Sequence, residues 1–326
     1  MSISNNLLSK QVNNFESNWE DLGIKIDKIA VDLIWNQWAY LGSMARPTSD
    51  HQTLRIIDPE ALVLASVAFQ SSERRISEIL DWWAGIGTPL LSVQRMKAMA
   101  KKTDGSRMDL FVDFARLASQ YGHRSWLKYS ALENVEPVEI QNSELLLKGC
   151  PSLLLRLRAA FGVGAKADII ALLMGTSGSE VTVSTISTHL NYTQKATRDS
   201  LKEMAMSGIV RESSSRPATY STNRKPWLEL LQPGDLGHRH YPKWTMWTAL
   251  FGFLIAAQSI CLAAVSKDLN GYLVASYARD LVESHLSAFE YHDVFVPDGR
   301  EYPGLEYQQA FSQVIENLER WAKSGN

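Results

Sequence analysis

The chain has 326 residues, of which 45% are hydrophobic and 21% are charged, and its formal net charge at pH 7 is −2. This length accommodates about two domains, and the composition is that of an ordinary globular protein, which excludes a largely disordered or fibrous chain. The two cysteines, Cys150 and Cys261, exclude a disulfide framework. Together with a polar N-terminus that lacks an apolar signal-peptide core, they predict a cytoplasmic protein.

Residues 1–150 are predicted to form a multi-helical N-terminal domain. Apolar residues at helical spacing indicate a helix from about Ser17. Asp58-Pro59-Glu60 combines an N-cap, a proline at the first helical position and an acidic first turn, which is a strong helix start. Further helices are predicted over residues 59–70, 72–83, 88–99 and 109–120.

One helix of this domain, ending at Lys102, is notably basic. It carries Arg95, Lys97, Lys101 and Lys102. We interpret these residues as a solvated helix face, because charged side chains usually lie on the surface. Auxiliary contacts to phosphate are the alternative interpretation.

No catalytic signature is found in the sequence. A nucleophile elbow, an HExxH motif and a phosphate-binding loop are absent, and the histidines show no metal-ligand spacing. The run from Gly162 to Ala167 fits a loose dinucleotide-binding pattern, but a predicted helix precedes it instead of a strand. We therefore interpret these glycines as the join between two helices, and we predict neither an enzyme nor a cofactor or metal site.

The central segment 151–230 has an excess of positive charge and a clear local pattern. Residues 156–225 contain ten Lys and Arg against five Asp and Glu, as expected for a phosphate-binding surface. Three helices are predicted here, over Lys166–Gly175, Val183–Leu190 and Gln194–Ser207. Thr182 and Thr193 are predicted N-caps, Asn191 occupies a turn position that needs a left-handed backbone, and Gly208 ends the third helix.

The third helix divides its residues between two faces. Thr197, Leu201 and Met204 fall at i, i+4 and i+7 and are expected to point inward. The outward face then consists of Gln194, Lys195, Arg198 and Lys202. A recognition helix presents such residues to base edges in the major groove, where Gln pairs with adenine and Arg or Lys pairs with guanine.

A small β-hairpin is predicted after the third helix. Its strands are Ile209–Glu212 and Ala218–Thr222, and its tip carries Arg216. Hydroxyl groups at helix starts and cations near the tip are suited to contact DNA phosphates. The complete predicted DNA-binding set is Thr182, Thr193, Gln194, Lys195, Arg198, Lys202, Arg216 and Arg224.

The stretch Val183–Val210, VSTISTHLNYTQKATRDSLKEMAMSGIV, resembles the core of the winged helix-turn-helix superfamily of MarR/ArsR-like bacterial transcriptional regulators. The resemblance covers about residues 166–222, roughly a fifth of the chain. It implies a winged helix fold and base contacts by Gln194, Lys195 and Arg198. Asp199 departs from the pattern, because it places a negative charge beside the predicted DNA-reading face, and the wing is short with few cations.

Residues 231–326 are predicted to form a helical C-terminal domain, connected by a linker at 232–243. Its helices include Gly271–Phe289 and Tyr307–Ala322. The uncharged stretch 244–265 is long enough to cross a membrane. Its content of Ala, Thr, Gln and Ser favours a buried core helix instead, with a membrane span or an oligomer interface as alternatives.

The sequence as a whole predicts a mainly α, cytoplasmic regulator that binds double-stranded DNA sequence-specifically, with the helix 194–207 in the major groove. One recognition helix per chain would require a dimer on a palindromic site, and the apolar helices of the terminal domains are candidates for that interface. The alternative is a protein-interaction or antitoxin-like component that uses the winged helix as a scaffold. An enzyme would need a pocket in the N-terminal domain.

Overall fold

A computed structural model of the chain confirms the mainly α class. The structure describes residues 2–42, 55–102, 107–130, 149–176, 178–231, 243–266 and 269–324, with isolated residues at 132, 138, 145 and 147. The loop predicted at 45–52, nearly all of the linker at 232–243 and most of the loop at 130–150 lie outside the described residues.

The helices follow one another with few interruptions. The first six are α1 (Ser2–Tyr40), α2 (Pro59–Phe69), α3 (Arg74–Ile86), α4 (Val93–Lys102), α5 (Met108–Gln120) and α6 (Arg124–Ser130). The next five are α7 (Leu153–Phe161), α8 (Ala165–Gly175), α9 (Val183–Leu190), α10 (Gln194–Met206) and α11 (Arg224–Leu231). The last four are α12 (Trp247–Val265), α13 (Gly271–Ser284), α14 (Leu286–Tyr291) and α15 (Tyr307–Lys323).

Three predicted helices differ clearly from the observed ones. The helix predicted from about Ser17 begins already at Ser2. The helix predicted from residue 88 starts later, because Thr88–Leu90 forms a separate 3-10 turn and Leu91 is extended. The helix predicted over Gly271–Phe289 is interrupted at His285, whose ring nitrogen contacts the carbonyl oxygen of Leu281 at 2.9 Å. In the last two of these places a side chain or an extended residue replaces the regular helical hydrogen-bond pattern.

The chain divides into two compact units. The first contains residues 1–33 and 249–325, and the second contains residues 34–248. The predicted central domain 151–230 therefore lies in the same unit as α2 to α6, while α13 to α15 belong to the other unit. The predicted division into three consecutive domains stays a prediction.

The first unit is held together by aromatic packing. The ring of Trp19 lies 5.5 Å from that of Phe311, and Phe253 packs edge-to-face on Phe289 with ring centroids 4.9 Å apart. Such aromatic pairs bury large apolar areas and prefer these tilted or perpendicular geometries. The last helix, α15, buries an apolar face that includes Phe311, Val314, Ile315 and Leu318.

Among the described helices, α12 is the one long and apolar enough to cross a membrane, and half of its most apolar window is buried inside the protein.

In the second unit, α7 to α10 surround an apolar core. Its fully buried members include Leu157, Leu172, Ile186 and Leu201, one from each of these helices. The predicted join between α7 and α8 at the glycines is confirmed, since Gly162–Gly164 separates the two helices. Burial of such side chains contributes about 1.5–3 kcal/mol each to folding.

A three-stranded antiparallel sheet closes one side of this core. Its strands are β1 (Val181–Thr182), β2 (Arg211–Glu212) and β3 (Thr219–Ser221), in the spatial order β1-β3-β2. Val181 pairs with Tyr220, and Glu212 pairs with Tyr220 on the other side. The hairpin strands are shorter than predicted, and β1 was not predicted, because two residues are too few to show a period in the sequence.

Five buried charged side chains connect the N-terminal helices to this core. We name them the buried ion cluster: Asp58, Glu60, Arg95, Arg158 and Asp168, on or next to α2, α4, α7 and α8. Their side chains are at most 2% exposed. The interpretation of Arg95 as part of a solvated face was therefore wrong.

Arg95 bridges two carboxylates of the cluster. Its guanidinium donates to Asp58 at 2.5 and 2.7 Å and to Glu60 at 2.5 Å. Burial alone would disfavour its charge, but Asp58, Glu60 and Asp168 more than offset this and keep the pKa of Arg95 above its ordinary value. Asp58 also accepts the amide of Ala61, which confirms it as the N-cap of α2.

Arg158 bridges the remaining carboxylates. It makes a bidentate pair with Asp168, at 2.8 and 2.7 Å, and donates to Glu60 at 2.6 Å. Three carboxylates face two guanidinium groups, and neutral donors complete the set: the amide of Ser92 donates to Glu60, and the hydroxyl of Tyr192 donates to Asp168. Buried charges are tolerated only when they are paired and hydrogen-bonded in this way.

We predict that Arg158→Met lowers the free energy of unfolding by about 3–5 kcal/mol, because buried Asp168 loses its bidentate partner and buried Glu60 keeps only one of its two guanidinium partners. Urea denaturation of both proteins measures the difference. Arg116→Met is the matched control, since Arg116 pairs with Asp113 at the surface, and it should change stability by less than about 1 kcal/mol. Equal effects of the two substitutions would contradict the account.

Candidate nucleic-acid interface

The starts of α9 and α10 are fixed by the two predicted threonine caps. The Thr182 hydroxyl oxygen accepts the amide of Thr185 at 3.2 Å, and the Thr193 hydroxyl oxygen accepts the amide of Ala196 at 3.2 Å. Thr193 is exposed, whereas Thr182 is half-buried and its hydroxyl also contacts that of Thr185. Both helix starts thus combine a capping hydroxyl with further backbone N–H groups, the arrangement that favours anions.

The connection between α9 and α10, Asn191 to Thr193, is a tight turn that we name the α9–α10 turn. Asn191 has φ 56° and ψ 35°, so the predicted left-handed residue is confirmed. Asn tolerates this conformation better than most residues because its short polar side chain bonds locally. Here its side chain accepts from Lys102 at 3.3 Å and donates to Thr248 at 3.2 Å.

The buried ion cluster forms two hydrogen bonds with the residues of this turn and the end of α9. Leu190 is the last residue of α9, and its carbonyl oxygen accepts a hydrogen bond from Nε of Arg95 at 2.7 Å. Tyr192 reaches Asp168 through its hydroxyl at 2.9 Å. Burial and the neighbouring carboxylate raise the pKa of Tyr192 well above its ordinary value, so the phenol remains a hydrogen-bond donor. The start of α10 is therefore anchored to α4 and α8 at several points.

The two predicted faces of α10 are present. Thr197 and Leu201 are fully buried and Met204 is nearly so, as their spacing predicted. Gln194, Lys195, Arg198 and Lys202 are all exposed. We call these four residues the outer face of α10. Thr193 precedes them, so the exposed cap and the outer face lie on one end and one side of the same helix.

Asp199 and Glu203 are the acidic residues of α10, and their surroundings differ. Glu203 pairs with Lys166 of α8 at 2.7 Å, so these two opposite charges offset one another locally. Asp199 is exposed, and it lies four residues after Lys195. The outer face therefore carries three cations, Lys195 among them, with one carboxylate beside it.

The hairpin loop carries a further exposed cation. Arg216 is exposed, and Ser213, Ser215 and Thr219 form a hydroxyl network at its base, with oxygen–oxygen distances of 2.6 and 2.7 Å. The other predicted cation of this region, Arg224, lies at the start of α11 and is half-buried. Since part of its side chain is covered, less of Arg224 is presented to solvent than of Arg216.

The positive charge of Arg198 acts on the nearby sheet. It lies close enough to Tyr220 of β3 to oppose the rise in the pKa of that phenol, which burial and the carboxylate of Glu212 cause. Glu212 accepts the Tyr220 hydroxyl at 2.9 Å. Two cations outside the predicted DNA-binding set lie nearby: Arg211, exposed on β2, and Lys102, which was interpreted as part of a solvated helix face and which also joins the α9–α10 turn from α4. The positive charge of Arg211 was visible in the sequence, but the position of Lys102 depends on a contact between residues 89 positions apart.

The N-terminal helices, where the enzyme alternative requires a pocket, form a shallow cavity. Its volume is about 210 Å³, and its lining is Val67, Gln70, Leu80, Asp113, Phe114, Arg116, Leu117 and Gln120. Ligand pockets usually measure about 300–1,000 Å³. Asp113 and Arg116 pair with each other at its edge. Within the described residues, no three His, Cys, Asp or Glu side chains are arranged to hold a metal ion.

His189, on α9 next to the turn, is a neutral residue at physiological pH. Burial lowers the pKa of its ring to about 4, from an ordinary value of 6.5. The unfolded chain therefore binds a proton between pH 6.5 and 4 while the folded chain does not. Folding stability from this group is present above pH 6.5 and is lost as the pH falls towards 4.

We predict that this histidine makes the protein acid-sensitive. Relative to His189→Gln, the wild type should lose about 2 kcal/mol of unfolding free energy between pH 7 and pH 5, because only its unfolded state gains the proton. Urea denaturation of both proteins at the two pH values gives the difference. Parallel losses in the two proteins would show that His189 is not the group responsible.

Comparison of the chain with models of protein families, with curated proteins and with solved structures found no significant match.

Proposed function

We propose that residues 166–222 form a winged helix-turn-helix and that the protein is a regulator that binds double-stranded DNA through α10. The observation that carries the proposal is the combination at the α9–α10 turn. A left-handed Asn191 and a capping Thr193 lead directly into a helix whose outer face bears Gln194, Lys195, Arg198 and Lys202. A helix that presents its N-terminal residues in this way fits the major groove of B-DNA.

The chemistry of the outer face supports duplex DNA as the ligand. Lys195 and Arg198 are exposed, and no ion pair with either is found among the described residues, so both can approach guanine O6 and N7. Gln194 offers the amide donor and acceptor that adenine requires. Lys202, a further turn along the helix, is placed for phosphate contact, as are the exposed cap of Thr193 and the N–H groups that follow it.

The loop between β2 and β3 supports the same proposal. In a winged helix this loop is the wing, and its exposed Arg216 would contact the backbone or the minor groove. The wing proposed here is short, and Asp199 adds negative charge next to the outer face. A short wing and one carboxylate predict a moderate affinity, and the remaining phosphate contacts predict that this affinity falls as the salt concentration rises.

We predict that Lys195→Ala/Arg198→Ala reduces duplex binding at least about 30-fold, because each base contact contributes about 1–3 kcal/mol. Fluorescence anisotropy with the DNA upstream of the protein's own coding sequence measures it at moderate salt. Met206→Ala is the matched control, since Met206 lies on the same helix, is 80% exposed and carries no charge. Specific binding that survives the double substitution would contradict the proposal.

A protein-interaction role is the second candidate, and one observation favours it. Met206 and Ile209, at the end of α10 and just beyond it, are exposed apolar side chains. Exposed apolar side chains that lie together are typical of protein interfaces. Under this hypothesis, Met206→Ala weakens binding to a partner protein while Lys195→Ala/Arg198→Ala leaves it intact, which is the reverse of the pattern expected for DNA.

A further inference from the structure

Beyond α10, a second group of cations lies on the N-terminal helices. We name it the α4–α6 basic surface, and its members are Lys97, Lys101, Lys102 and Lys128. Lys101, Lys102 and Lys128 are exposed, and Lys97 is half-buried. Neither α4 (Val93–Lys102) nor α6 (Arg124–Ser130) contains a single Asp or Glu, so no acid on these helices offsets the charge.

An aromatic ring joins the two helices within this surface. The ammonium of Lys97 lies 4.7 Å from the ring centroid of Tyr129, and that of Lys128 lies 4.9 Å from it. Gln94 also donates to the Tyr129 hydroxyl at 3.4 Å. Lys128, Gln94 and Lys97 together outweigh the effect of burial and lower the pKa of Tyr129, which indicates a positive local potential.

The α4–α6 basic surface adjoins the proposed DNA-binding helix. Lys102 donates to the side chain of Asn191 in the α9–α10 turn, and Arg95, on the same helix, donates to the carbonyl oxygen of Leu190. These two contacts fix α4 against the residues that immediately precede α10. The exposed cations of α4 therefore lie next to the N-terminal end of α10, which is the end that would enter the major groove.

Folding stability accounts for little of the charge at Lys97 and Lys101. Lys101 is exposed, and its only role in α4 that the sequence suggests is a favourable charge near the negative end of the helix dipole. Half-buried Lys97 contacts the Tyr129 ring, and such a cation–π contact near the surface contributes only about 0.5–1 kcal/mol to stability. Cations on helices that contain no acidic residue repel one another, and a polyanion relieves that repulsion.

We propose that the α4–α6 basic surface binds the phosphate backbone of the same duplex that α10 contacts, so that the DNA footprint extends from the helix-turn-helix onto the N-terminal helices. This inference rests on the proposed function. It assigns to α4 and α6 a part in DNA binding, with Lys102 at the junction and Lys97, Lys101 and Lys128 further along the DNA backbone. These contacts are independent of sequence, because phosphates are the same at every base pair.

The salt dependence of binding tests this inference. The probe is a mixed-sequence duplex of about 30 base pairs, roughly three helical turns. The slope of log K against log salt concentration is negative, and each lost phosphate contact reduces its magnitude by about 0.9. Lys97→Gln/Lys101→Gln should therefore reduce that magnitude by about 2. The ratio of specific to non-specific affinity should stay unchanged.

Matched substitutions keep the result interpretable. Arg74→Gln/Arg75→Gln removes two exposed cations from α3 in the same unit and should leave the slope unchanged. The thermal unfolding midpoint of each variant shows whether it is folded, and both pairs lie at the surface, where substitutions have small effects. Lys102 is left intact, because its contact with Asn191 also positions the turn.

The outcomes separate the two proposals. If the wild type binds no duplex, both the proposed function and this inference are wrong. If the wild type binds but Lys97→Gln/Lys101→Gln keeps its slope, this inference alone is wrong. If Lys97→Gln/Lys101→Gln loses binding to double-stranded RNA or to anionic vesicles while its duplex slope stays unchanged, the surface binds another polyanion. That result would equally overturn this inference.

Discussion

Two guanidinium groups, those of Arg95 and Arg158, hold three carboxylates that come from distant parts of the chain. Asp58 and Glu60 belong to the start of α2, and Asp168 belongs to α8. A buried ion cluster of this kind contributes little net stability compared with apolar packing, but removing one member is costly. Its physical effect is geometric: Glu60 accepts from both Arg95 and Arg158, so the cluster links α2 to α4 and α7 and constrains how the N-terminal helices meet the central ones.

The arrangement of α10 follows from that constraint. The cluster passes directly into the α9–α10 turn, because Arg95 donates to the carbonyl of Leu190 and Asp168 accepts from Tyr192. The α9–α10 turn leads directly into α10. The apolar side of this helix packs into the core, while its outer face is exposed to solvent. In the proposed function, a polar network inside the protein thus positions the residues that approach DNA, and the same network brings the basic helix α4 beside them.

Local features of the fold could be predicted from the sequence, and non-local ones could not. The caps Thr182 and Thr193 and the left-handed Asn191 depend only on neighbouring residues, so their chemistry is written in a few consecutive positions. Arg95 looked like a surface residue because the acids that surround it are 35 or more positions away. The short strand β1 was missed since pairing with β3, not sequence periodicity, defines it. The exposure of the outer face could be predicted from helical spacing, whereas the contribution of α4 to this surface required the tertiary contacts.

The most direct test of the account is selection of duplexes from a random-sequence pool by the full chain at moderate salt, followed by sequencing of the bound DNA. The account predicts enrichment of one motif, with the preference at its central positions lost when Lys195 and Arg198 are replaced by alanine, because those side chains contact base edges. If the bound duplexes show no sequence preference over the starting pool, the protein is not a sequence-specific DNA-binding regulator, and the proposed function is wrong.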